Sequence, residues 1–128
     1  MFIDDDENSI IKNHDQPTIN HHSFSFIKSI PTRNMPIAHN SYFEGGVQSL
    51  ASTRNGRKFS VGIIAEGTYH FGTEAAERMT VISGLLTAKI DGSSEWIAYP
   101  AGTNFEIPAK SGFDVKATGD TAYQCEYL

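Results

Sequence analysis

The stretch Glu66 to Gly84, EGTYHFGTEAAERMTVISG, holds the residue types that a metal-binding β-barrel uses. His70 precedes Glu77, and six residues separate Glu77 from the turn glycine Gly84, with Met79, Val81 and Ile82 among them. Imidazole nitrogen and carboxylate oxygen are the donors that zinc, iron and manganese accept in such sites. A metal barrel would put more than one histidine upstream of the glutamate, yet His70 stands alone there. The stretch is a metal site, the remnant of one, or a pocket turned to other chemistry.

Whatever these residues do, short strands must position them. From Tyr42 onward, apolar segments recur every eight to twelve residues, at 47–51, 59–65, 68–71, 79–83, 85–90, 96–99, 103–107, 113–115 and 122–127. The breaks are Asn55-Gly56, Glu66-Gly67, Gly84, Asp91-Gly92, Pro100-Ala101-Gly102, Ser111-Gly112 and Gly119-Asp120. Asn-Gly and Asp-Gly between strand-like runs are strong hairpin signals. The pattern predicts an all-β antiparallel sandwich or barrel of nine short strands, a jelly roll in its favoured form. Only 74–78 leans towards a helix, and for barely a turn.

Residues 1–36 differ in composition. They are rich in Asp, Asn, Ser, His and Lys, sustain neither strand nor helix period, and are punctuated by Pro17, Pro31 and Pro36. A disordered extension ahead of a domain spanning 37–128 is expected. His14, His21 and His22 could form a metal-binding tail, but adjacent strand residues point apart and no companion ligands are spaced with them. A further reading makes Met35 the true translation start, with the residues upstream of it no part of the native protein.

The 128 residues suit one domain. A formal charge of −5 argues against a broad nucleic-acid surface. An acidic chain can still bind an anion through a local cluster of donors. Cys125 is the single cysteine, so an intrachain disulfide is impossible and a reducing cytoplasm fits; ordinary packing explains the residue. The first residues are acidic where a secretory signal is basic, and no run reaches the roughly 18 apolar residues of a membrane span. A cytoplasmic protein without membrane partners is expected.

Several spaced motifs carry a family likeness. Gly67-Thr-Tyr-His-Phe-Gly-Thr73, Glu77-Arg-Met-Thr-Val-Ile-Ser-Gly84, Trp96, Pro100-Ala-Gly102 and the closing Tyr123-Gln-Cys-Glu-Tyr-Leu128 together resemble the pyrimidine/purine nucleoside phosphorylases, small single-domain cupins. The resemblance runs from about Asn40 to the last residue. It implies a cupin barrel, a cytoplasmic homodimer, and phosphorolysis of purine and pyrimidine nucleosides to free base and pentose 1-phosphate. The substrates would be nucleosides and inorganic phosphate. One departure concerns the segment Gly-x-Val-x-Ser, whose fourth residue is usually lysine in the family and is Gln48 here. An account that makes that lysine the phosphate ligand is therefore in doubt for this chain.

Cupins in general hold a metal through a His-x-His pair, a glutamate and a third histidine after a Pro-x-Gly turn. Phe105 stands where the third histidine belongs, and the paired positions fall on His70 and Gly72 or on Phe71 and Thr73. Of five histidines, His14, His21, His22 and His39 lie in or beside the extension, leaving His70 for the barrel. At most two ligands remain where three or four are needed, so no metal and no cofactor are expected.

A pocket without metal must then supply the chemistry. Strand alternation places Met79, Val81 and Ser83 on the face of Glu77, and Arg78 and Thr80 on the other. Glu77 is the candidate catalytic residue, a carboxylate suited to accept from sugar hydroxyls. Tyr69, Phe105 and Tyr123 offer aromatic surface for a base, with Thr73, Met79 and Ser83 as further substrate contacts. Arg57, Arg78 and Lys110 are the candidate phosphate ligands. Each has a plainer reading. Glu77 could be a solvated carboxylate paired with Arg78 or Lys110, the aromatics and Met79 could be core, Thr73 and Ser83 could cap backbone, and Arg57 could be a solvated hairpin charge. A non-catalytic sugar- or nucleotide-sensing domain would use the same pocket without turnover, and a metal-dependent isomerase or oxygenase would need ligands beyond His70 and Glu77.

Overall fold

The computed structural model describes residues 37–128. The expected disordered extension, the histidine tail at 14, 21 and 22 and the alternative start at Met35 lie outside the described residues. The all-β expectation is borne out. Eight strands run in chain order as β1 (Ala38–Tyr42), β2 (Val47–Arg54), β3 (Arg57–Ile64), β4 (Gly67–Gly72), β5 (Glu77–Ile90), β6 (Ile97–Pro100), β7 (Asn104–Ile107) and β8 (Gly112–Tyr127). A short 3-10 turn, Phe43–Gly45, joins β1 to β2.

Every pairing is antiparallel, in the order β1-β2-β3-β8-β5-β6, with β4 also on β8 and β7 also on β5. Strands β5 and β8 are long enough to serve two halves of a sheet folded on itself. The last part of β8 pairs with β3, and the start of β5 pairs with β7. The first part of β8 pairs with β4, and the end of β5 pairs with β6. The fold line is a bulge at which the register slips between Val81 and Ser83 and again between Ser83 and Leu85. Residues 119–121 of β8 face Gly84 alone there, because Leu85 pairs with Thr118 and Ser83 with Ala122. Extra residues on one strand bend and twist the pair.

Gly84 is fitted to this corner twice over. Its φ of +106° is one that side chains rarely adopt, and a Cβ there would lie 2.5 Å from Thr121 Oγ1. Thr121 is fully buried and accepts from the Leu85 N–H at 3.2 Å. Turn residues predict breaks at Gly84 and at Gly119-Asp120. The structure carries strands through both, because a bulge bends a ladder without ending it, and so nine expected strands become eight with β1 added. The helical lean of 74–78 does not materialise either, since Glu77 and Arg78 already pair with Ile107 and Glu106.

The two halves meet across one core. Phe105 of β7 meets Phe113 of β8 edge-on at 5.9 Å and stacks on Tyr99 of β6 at 4.4 Å. Val47, Ile64, Met79, Val81, Leu86, Ile107, Val115 and Tyr123 fill the space around them, all essentially without exposure. Burying each large apolar side chain contributes about 1.5–3 kcal/mol, so this layer holds the fold and frames everything placed within it. Among the described residues, no helix is long and apolar enough to cross a membrane.

Candidate active site

Glu77 opens β5 and points inward. It is 1% exposed and is the one charged side chain buried among the described residues. The reading of Glu77 as a solvated partner of Arg78 or Lys110 is thereby overturned. Arg78, the next residue, points outward and pairs instead with Glu106 at 3.0 Å and Glu126 at 3.5 Å, which raises its pKa, chiefly through the hydrogen bond to Glu106. Inside, Cys125 Sγ donates to Glu77 Oε1 at 3.4 Å. Burial, reinforced by the nearby Glu77 carboxylate, pushes the Cys125 thiol well above its ordinary range, so it stays protonated and able to donate.

Two tyrosines complete the surroundings of Glu77. Tyr127 is its register partner on β8. Burial raises the Tyr127 phenol first, with Cys125 and Glu77 adding to the effect. Tyr123, four residues back on the same inward face, is fully buried and likewise raised by burial. Its hydroxyl lacks a hydrogen-bond partner among the described residues. It reaches across Gly62, where a Cβ would sit 2.8 Å from the phenolic oxygen and 2.9 Å from Ser49 Cβ. Ser49, Gly62 and Tyr123 form one row across β2, β3 and β8, and the missing side chain at Gly62 is what admits the ring.

The expected pocket residues do not share one open cavity. Met79, Phe105 and Tyr123 belong to the packed core, and Glu77 is buried as they are. Tyr69 sits at the rim, where its hydroxyl donates to the Ala65 carbonyl at 2.8 Å and Phe43 lies on its ring at 5.0 Å. Thr73 is buried, but its hydroxyl donates to the Pro108 carbonyl at 2.7 Å and accepts from the Ser111 N–H at 2.9 Å, tying the β4–β5 connection to the β7–β8 turn. Ser83 is exposed, contrary to the alternation that put it beside Met79, because the bulge after Val81 breaks the period of two.

His70 and Glu77 face opposite ways. His70 lies on the outer face of β4, its side chain 55% exposed, with Nδ1 donating to Asp114 at 2.8 Å and Nε2 3.9 Å from Asp91. This hydrogen bond is the main reason the Asp114 carboxyl falls below its usual value. Gly112 allows the cluster to close, since a Cβ there would meet Asp91 Oδ2 at 2.6 Å. His39, counted with the extension, belongs to β1 and makes a 3.0 Å hydrogen bond with Gln48. Among the described residues, no group of three or more His, Cys, Asp or Glu is arranged to hold a metal ion.

Of the phosphate candidates, Arg57 and Arg78 line one surface cleft of about 410 Å³, together with Arg54, Lys58, Phe59, Glu126 and Tyr127. Lys110 is not part of that lining and lies on the β7–β8 turn, where its N–H donates to the Glu74 carbonyl at 3.1 Å.

Comparison with known proteins bears on this arrangement. The sequence model of the pyrimidine/purine nucleoside phosphorylases matches residues 37–127. This chain belongs to that family. A pyrimidine/purine nucleoside phosphorylase of Sorangium cellulosum is 56% identical over 72% of this chain and 99% of its own length. One from Vibrio vulnificus is 50% identical over 72% of this chain and 99% of its own. A crystal structure of a Vibrio parahaemolyticus protein of unknown function superposes with a TM-score of 0.72 at 45% identity, covering 73% of this chain and all of that one. Hydroxypropylphosphonic acid epoxidase from S. wedmorenis shares the fold alone, at 12% identity and a TM-score of 0.61, over 77% of this chain and 59% of that one.

Within this pyrimidine/purine nucleoside phosphorylase family member, Gln48 is an exposed residue of β2, donating to the Gly45 carbonyl at 3.2 Å in addition to its contact with His39. Sequence reasoning missed Tyr127, Arg54 and Lys58. The signal for Tyr127 was present, since positions 123, 125 and 127 share one face of a strand. Only the register, which sets Tyr127 opposite Glu77, shows why that face matters.

Proposed function

We propose that this protein is a pentosyltransferase that cleaves purine and pyrimidine nucleosides with inorganic phosphate, without a metal, as a cytoplasmic homodimer. Family membership supports the reaction class. The observation that carries its placement is Glu77, an ionisable carboxylate kept in the core beside a donating thiol and two tyrosines. Burial of a charged group is costly and contributes little to stability compared with an apolar residue of similar size, which makes a chemical use the better account of it.

In phosphorolysis the bond between C1′ and the base nitrogen breaks, the base departs with the electron pair and gains a proton, and a phosphate oxygen bonds to C1′. The transition state carries positive charge on the sugar, as in other glycosyl transfers. Glu77 is assigned to accept from the sugar hydroxyls and to oppose that charge. Tyr69 at the rim is the aromatic surface a base would meet first; Phe105, Tyr123 and Met79 are buried in the core and would contact it only after the core opens. Stacking is tolerant of base identity because every base has a π-face, which fits a broad base preference. Thr73 and Ser83 would contact substrate only after giving up a backbone-bonded or a solvent-facing position.

Purified protein incubated with uridine or adenosine should release base only when phosphate is present, and chelators should leave the rate unchanged. Absence of phosphate-dependent release across several nucleosides would refute the enzyme reading in favour of a sensor. Loss of activity on chelation, restored by a metal, would refute metal independence. The outer face of β2 and β3 leaves Leu50, Val61 and Ile63 at 55%, 43% and 50% exposure, a patch suited to a second copy. Leu50→Lys with Ile63→Lys should shift sedimentation from dimer to monomer; a monomeric wild type would dismiss the dimer.

A further inference from the structure

Three cations crowd one hairpin of an acidic chain. Asn55 and Gly56, both at positive φ, make the tight turn between β2 and β3. The register places Arg54 directly opposite Arg57, and Thr53 opposite Lys58. Like charges facing each other across a ladder are destabilising. Among the described residues, neither Arg54, Arg57 nor Lys58 makes an ion pair; of the carboxylates that also line the cleft, Glu126 is taken by Arg78, which Glu106 holds as well, and the last residue, Leu128, adds its terminal carboxylate.

Arg54 and Lys58 leave opposite faces of the hairpin and reach the cleft from its two sides, each over an aromatic ring. The Arg54 guanidinium lies 5.9 Å from the Phe59 ring and the Lys58 ammonium 5.0 Å from the Tyr127 ring. Such contacts restrain side chains that would otherwise trail in solvent. The cleft they line, about 410 Å³, is in the size range of small-ligand sites. Tyr127 belongs to two places at once, since its ring forms the wall under Lys58 and its strand position is paired with Glu77.

We propose that this cleft holds the phosphate group of the reaction, with Arg54, Arg57 and Lys58 as its ligands and Tyr127 as the residue that adjoins both that anion and Glu77. The assignment rests on the phosphorolysis reading for the identity of the anion. An anion placed here relieves the repulsion between Arg54 and Arg57, and a guanidinium pair offers the forked donors that phosphate oxygens accept. Arg78, already fixed by two carboxylates, shapes the floor. Inorganic phosphate and the phosphate of pentose 1-phosphate would share the ligands, and the remaining volume leaves room for the sugar.

The test uses the full chain with Arg54→Ala, Arg57→Ala and Lys58→Ala singly and combined, and Lys116→Ala as a surface-charge control. Calorimetric titration with inorganic phosphate, and separately with ribose 1-phosphate, reads binding without requiring turnover. Each single change should weaken both ligands by about tenfold, the triple change should abolish binding, and Lys116→Ala should match the wild type. In the phosphorolysis assay, KM for phosphate should rise in the same order while KM for uridine stays within about twofold. Phosphate binding that disappears in the triple variant of a protein lacking phosphorolysis would sustain the site and remove the reaction. Wild-type protein that binds neither ligand, or a folded triple variant that binds both as tightly as wild type, would overturn the proposal.

Discussion

Glu77 and His70 lie seven residues apart and make opposite use of their surroundings. Glu77 is sealed in the core, with a thiol donating to it and Tyr127 at its side. His70 stands in solvent on the outer face of β4, bonded to Asp114 and close to Asp91. In a low-dielectric interior each polar contact is strong and each loss expensive, whereas at the surface water and salt screen the same groups. A carboxylate in the first setting can be tuned for chemistry, while a histidine–carboxylate pair in the second joins neighbouring strands. Together the two residues looked like half a metal site, and the two faces of the sheet divide them.

The contrast can be attacked from both sides. The largest effect is expected for Glu77→Gln, which keeps shape and replaces the carboxyl group with an amide. Phosphate-dependent release of base should fall by about a hundredfold or more, with the circular dichroism spectrum unchanged. Retention of full activity would move the chemistry away from the interior.

Next is Gly62→Ala, which presses on the row that carries Tyr123. The new Cβ would lie 2.4 Å from the Gln48 carbonyl oxygen and 2.8 Å from the Tyr123 hydroxyl. Overpacking of this kind costs about 1–3 kcal/mol, which denaturant unfolding should report. An unchanged midpoint would mean that the row is looser than it looks.

The smallest effect belongs to the outer face. His70→Ala should cost no more than about 1 kcal/mol, as for other exposed pairs, and should leave phosphorolysis unaltered. The pH dependence has a definite sign. Asp114 is held below its ordinary 3.8 in the folded protein, chiefly by the hydrogen bond from His70. Its contribution is therefore complete above that ordinary value and fades as pH falls through the lowered one. The stability gap between wild type and variant should close in that acid range; a gap that widened there would contradict the assignment.

Much of the antiparallel sheet could be read from turn chemistry and periodicity. Asn55-Gly56 and the alternation of Glu77, Met79 and Val81 predicted a hairpin and an inward face, and both are present. Ser83 was misplaced because a bulge moves every later side chain by one position and leaves no local mark beyond Gly84. The cleft was harder to see. Arg57 and Arg78 are distant in sequence, and they approach only because β3 and β5 flank the same strand, β8. Tyr127 escaped notice because its value lies in a register partner fifty residues earlier.

The account stands most directly on the products. Wild-type protein, uridine and inorganic phosphate should yield uracil and a pentose 1-phosphate in equal amounts, followed together by chromatography and by the phosphorus resonance of the sugar phosphate. Equal accumulation of both is the predicted result. Uracil formed without a matching sugar phosphate, or neither product formed, would contradict it.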